Sequence, residues 1–102
     1  MVTLEEERYE LLAEKFQREQ ISLLRSTLKH HGINDDLSRE ICGDFSFDLA
    51  MLFDQGELEH KGESYRPCVA FTSDEDEFFV QTASISFHEH CFGTVADVFD
   101  GT

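Results

Sequence analysis

Apolar residues recur near a helical period over the first thirty positions. Leu12, Phe16, Leu23, Leu24 and Leu28 set the repeat, joined by Leu4, Tyr9 and Leu11. Thr3 and Glu6 form a T-x-x-E capping box, and Glu5, Glu6 and Glu7 fill the first turn, where the helix dipole favours anions. Lys29, His30 and His31 close the last turn, and Gly32 is a natural stop. About 28 residues at 1.5 Å each make a rod of roughly 42 Å. A rod that long predicts an apolar face partly covered by a second copy or a partner.

A second helix is predicted from Asn34–Asp36, any of which can cap it, to Gln55, with Gly56 at its end. Leu37, Ile41, Phe45, Leu49 and Leu52 form its apolar stripe. Gly43 offers a break, with Asp44 able to cap a second piece. The run from Phe45 to Phe53 is apolar almost all round, which predicts a central, buried helix.

Beyond Gly56 the period shortens. Glu57–His60 reads as a short strand, with a turn around Lys61, Gly62 and Glu63. Tyr65–Thr72 reads as a strand with Val69 and Phe71 inward, and Pro67 belongs at an edge or a strand start because it cannot donate to a ladder. Ser73–Asp76 reads as a polar loop, and Glu77–Gln81 as the returning strand of an antiparallel meander. At the C-terminal end Ser86 and Glu89 form a second capping box, opening a helix toward Val98 or Phe99. Ile85, Phe87, Glu89 and Cys91 also alternate like a strand, and Gly93 weakens a helix there; the helix is the preferred reading. The expected fold is therefore α+β in a single domain over residues 1–102. A long N-terminal helix and a buried second helix pack on a small antiparallel β-meander, with a C-terminal helix.

Charge changes the functional picture. Twenty-two acidic residues stand against eight basic ones, for a net charge of -14. That balance repels nucleic acid and anionic lipid and attracts basic protein surfaces. The N-terminus lacks the basic and apolar regions of a signal peptide, and no apolar stretch is long enough for a membrane span. Cys42, Cys68 and Cys91 are an odd count set in apolar strings, so buried reduced thiols and a cytoplasmic location are expected.

Two clusters invite a chemical reading. Asp48 lies in the most apolar run of the chain, where desolvation would raise its pKa, and Asp44 stands one helical turn earlier. Together they read as a buried acid/base pair, as part of a metal site, or as a polar position held by Arg25, Arg39 or Arg66. His88, His90 and Cys91 concentrate metal-ligand types, but no second ligand pair at matching spacing accompanies them. Asp74-Glu75-Asp76-Glu77 lacks the glycine and alternating oxygens of a calcium loop and reads as a solvated acidic turn. Phosphate loops, nucleophile elbows and H-E-x-x-H motifs are missing, and no cofactor is expected.

The leading expectation is a non-enzymatic interaction domain of inhibitor, immunity or adaptor type. Its acidic surface, from Glu6, Glu10, Glu14, Asp35, Asp36, Asp74, Glu75 and Asp76, would bind a basic protein. One alternative is a small metal-binding domain or enzyme using Asp44 and Asp48 with His88 and His90. Another is a self-associating module, a homodimer through the first helix, whose acidity serves only solubility or a salty milieu; the chain holds just three lysines.

Overall fold

In the computed structural model, which describes residues 2–3, 6–74, 77–80 and 87–101, the chain opens with a strand. Strand β1 (Val2–Thr3) lies parallel to a later strand, with Thr3 opposite Phe79. The backbone of Thr3, the first residue of the T-x-x-E spacing, belongs to this sheet. Helix α1 follows over Glu6–His30, about 37 Å at 1.5 Å per residue. Glu6 and Glu7 occupy its first turn and Lys29 and His30 its last, as the dipole favours.

Helix α2 (Asp35–Gln55) starts and stops where the sequence predicts. The Asn34 side chain accepts from the Leu37 amide at 2.9 Å, and Gly56 donates its amide to the Leu52 carbonyl at 3.0 Å. Gly43 does not break it. Helix α3 (Cys91–Asp100) ends on Gly101, whose φ of 74° is the left-handed region that suits glycine. Its start departs from the expected box: residues 88–90 form a turn, and Ser86 lies outside the described residues.

The β part divides in two. Strands β2 (Leu58–His60) and β3 (Glu63–Tyr65) form an antiparallel hairpin around Lys61 and Gly62, whose φ values of 51° and 81° suit a tight two-residue turn. The second sheet, in the order β1-β5-β4, pairs β4 (Ala70–Asp74) antiparallel and β1 parallel to β5 (Glu77–Val80). Pro67 falls between β3 and β4, and the strand expected over Tyr65–Thr72 is interrupted there. The α+β arrangement of long helix, second helix, small sheets and C-terminal helix is the expected one. The single meander is replaced by a separate hairpin and a mixed sheet.

Among the described residues, two apolar clusters hold the elements together. Tyr9, Ala13, Ala50, Phe79 and Phe87 join α1, α2 and β5, with Phe53, Val69 and Phe71 at the margin. Ile21, Cys42, Cys91 and Val95 join the three helices, with Leu24, Leu28, Phe47, Val98 and Phe99 packed against them. The buried positions of α1 are thus Tyr9, Ala13, Gln17 and Ile21, an i, i+4 line of mixed size. Leu11 and Leu23, expected on the apolar face, point to solvent.

Helix α2 shows the larger correction. It is central, packed on both α1 and α3, yet it buries one face only. That face is Ser38, Cys42, Gly43, Ser46 and Ala50. These side chains are small, and a Cβ added at Gly43 would meet the Phe92 ring at an ordinary contact distance of 3.7 Å. The expected stripe is turned the other way: Leu37 is 44 % exposed, Phe45 50 % and Leu52 39 %.

Candidate interaction surface

The outward face of α2 follows from helical spacing. With the small residues turned inward, the positions on the opposite side are Leu37, Ile41, Asp44, Phe45, Asp48 and Leu52. Leu37, Phe45 and Leu52 are exposed and Ile41 half-buried. Asp44 and Asp48 are exposed as well, so the buried acid/base pair expected from the sequence does not form. The apolar run around Asp48 does not enclose it: Asp48 faces solvent with Phe45 and Leu52, while Phe47, Ala50 and Phe53 turn toward the core.

Helix α1 extends this face. Phe16 and Gln20 of α1 line one crevice with Ser46, Leu49 and Phe53 of α2. Phe16 is 36 % exposed, and Leu23, two turns further along the same flank, is 68 % exposed. The result is an apolar seam running along the α1–α2 pair.

Acids border the seam. Glu40, Asp44 and Asp48 are exposed, and none meets a cation within ion-pair distance among the described residues. Arg39 is the one cation in α2, and its guanidinium forks onto Asp100 at 2.7 and 3.2 Å. That hydrogen bond holds the Asp100 carboxyl below the usual carboxylate range.

The acidic residues singled out from the sequence are scattered. Glu6, Glu10 and Glu14 are exposed on α1, but Glu10 lies 3.2 Å and Glu14 4.0 Å from the His90 ring. Asp35 pairs with Arg25 at 3.4 Å, while Asp36 is exposed beside it. The backbone of Asp74 lies in β4; Glu75 and Asp76 lie outside the described residues.

Among the described residues the buried carboxylate is Asp54, which nothing in its sequence setting marks. Its side chain is 6 % exposed. It accepts from the backbone amides of Phe87 at 3.1 Å and His88 at 2.9 Å, and its Oδ2 lies 2.7 Å from His88 Nδ1. Asp54 thus fastens the end of α2 to the turn that opens α3. Gln17 ties α1 to the same turn, donating to the Phe87 carbonyl at 3.1 Å, with the Thr94 hydroxyl 3.2 Å from its Oε1. Burial, with the nearby Cys68 and Asp54 charges, pushes the Tyr9 hydroxyl far above the usual tyrosine range. It stays a neutral donor to the Val69 carbonyl at 2.7 Å.

This geometry separates the expected metal and catalytic candidates. His88 sits on Asp54, His90 on Glu10 and Glu14, and Cys91 is fully buried; no group of three or more possible metal ligands converges among the described residues. Neither histidine pairs with Asp44 or Asp48. Burial raises the Cys42 thiol and pushes Cys91 up to about 11, so both are protonated near neutral pH and poor nucleophiles. Cys68, expected to be buried, is exposed.

The cations are less dispersed than the sequence implies. Arg18, Arg25 and Lys29 line one groove on the side of α1 facing α3, with Asp97 among them. Arg18 pairs with Asp97 at 3.3 Å, and Arg25 donates to the Val98 carbonyl at 2.8 Å and lies over the Phe99 ring. Arg18 and Arg25 thus fasten α3 to α1.

No family model, curated protein or solved structure matches this chain. Among the described residues no helix is long and apolar enough to cross a membrane.

Proposed function

We propose that this protein is a small interaction domain that binds a basic protein partner through its acidic surface, without catalysis of its own. The observation that carries this reading is the set Glu40, Asp44 and Asp48, exposed acids without an ion-pair partner among the described residues, on a chain of net charge -14. Such a surface speeds association with a cationic partner and weakens as salt screens it. It disfavours nucleic acid and anionic membranes by the same charge. The separation of Asp44 and Asp48 from His88 and His90, and the raised thiols, support a non-enzymatic role. Two thiols buried in their reduced form support a cytoplasmic location.

Self-association is the second reading, favoured by the exposed Leu11 and Leu23 on α1. It predicts a dimer through the first helix.

Affinity capture from native lysate at low and high salt tests the first reading. A variant carrying Glu40→Gln, Asp44→Asn and Asp48→Asn is run in parallel. One basic protein should be retained near one-to-one by the wild type, and lost both at high salt and with the variant. Retention that ignores salt and the three substitutions, or no retained protein, would overturn it.

A further inference from the structure

Charge alone does not account for the seam beside those acids. Leu37, Ile41, Phe45, Leu49 and Leu52 lie at offsets of 4, 8, 12 and 15 residues, the spacing of one helix face. Three of them are exposed, and Phe16 and Leu23 continue the apolar surface on α1. Exposed apolar residues arranged contiguously and rimmed by charge mark a contact surface.

We propose that the α1–α2 seam is a docking site for a basic amphipathic helix of a partner protein. This inference rests on the interaction reading above and names the partner's chemistry. From Leu37 to Leu52 the seam runs about 22 Å, the length of roughly four helical turns. A helix laid along it places apolar anchors at i, i+4 and i+7 or i+8 over Phe45, Leu49 and Leu52. Lys or Arg on its flank reach Glu40, Asp44 and Asp48, with their aliphatic stems lying over Leu37 and Ile41.

A second copy of the chain suits this face poorly. A closed two-fold contact sets the same patch against itself. Here that would oppose Glu40, Asp44 and Asp48 to their own equivalents, and the one cation of α2, Arg39, is engaged by Asp100. The seam brings acid and apolar surface; its complement must bring base and apolar surface.

The test uses the full chain and a fluorescent Leu/Lys peptide of about 18 residues with leucines at helical spacing. Its controls are a peptide of the same composition with the periodicity scrambled, and the Leu/Glu analogue. The wild type should bind the Leu/Lys helix one-to-one, more tightly than the scrambled peptide by at least about tenfold. Phe45→Ser or Leu37→Ser should each weaken binding by about tenfold or more while the circular dichroism spectrum and unfolding midpoint stay near wild type. Glu40→Gln with Asp44→Asn should weaken it less and flatten its salt dependence. Equal binding of helical and scrambled peptides, unaffected by Phe45→Ser, would overturn the docking site yet leave charge-driven association standing. Failure of every lysine-containing peptide to bind would overturn both. A dimer in sedimentation that Phe45→Ser dissolves would assign the seam to a second copy and overturn the proposal.

Discussion

The two faces of α2 differ in a way that reverses the usual expectation. The fully buried line is small and partly polar, Ser38, Cys42, Gly43, Ser46 and Ala50, with Phe47 and Phe53 half-buried at its margins. The outward face carries Leu37, Phe45 and Leu52. In a helix that serves only its own core, the large apolar residues would be inside. Here close approach of α1 and α3 takes the inward side, where bulk would hold the helices apart. The bulk left outside is surface that a partner can bury. The same division holds for carboxylates six residues apart: Asp48 faces solvent, while Asp54 is 6 % exposed and satisfied by two amides and an imidazole.

The sharpest way to break this comparison is to remove Asp54. Asp54→Ala leaves two inward amides and His88 without their acceptor, and should cost about 3–5 kcal/mol in urea unfolding. Asp48→Ala should stay within about 0.5 kcal/mol. Similar values for the two would dissolve the distinction.

Alkaline titration probes the inward side next. Burial raises Cys91 from 9.0 to about 11. Between those values the unfolded chain loses the thiol proton while the folded chain keeps it. Stability from this group is therefore complete below pH 9 and falls as pH rises toward 11, by on the order of 2 kcal/mol. Cys91→Ala should reduce that alkaline loss; an unchanged slope would place the thiol in contact with water.

Packing gives a third comparison. Ala50→Leu should destabilise by about 1–3 kcal/mol through overpacking against Tyr9, Phe79 and Phe87, more than Phe45→Ser on the outward side. The smallest effect should come from Gly43→Ala. The added methyl meets the Phe92 ring at ordinary contact distance, and the helix interior gains about 0.5–1 kcal/mol of stability. A destabilised Gly43→Ala would mean that the helices approach more tightly than 3.7 Å implies.

Local signals were legible where a single residue acts on its own backbone. Asn34 caps α2, Gly56 ends it, and Lys61-Gly62 turns the hairpin, each as its chemistry predicts. What could not be read was direction. Hydrophobicity selects Leu11, Phe16 and Leu23 on α1, whereas the buried line contains Ala13 and Gln17. Gln17 earns burial only through partners some seventy residues away, at Phe87 and Thr94. Asp54 reads as an ordinary acid at a helix end for the same reason, since its partners are 33 and 34 residues distant. Thr3 satisfies a capping pattern, but its pairing opposite Phe79 places its backbone in a strand. At Asp48 the apolar neighbours in sequence are not apolar neighbours in space, because the side chain faces solvent.

The most direct measurement is an amide chemical-shift titration of the full chain with the Leu/Lys peptide. Docking in the seam should concentrate the shifts at residues 37–52 on the outward side of α2 and at Phe16 to Leu23 of α1, with the Asp54–His88 turn little changed. Shifts gathered at Glu6–Glu14, or spread evenly over the acidic surface, would contradict it.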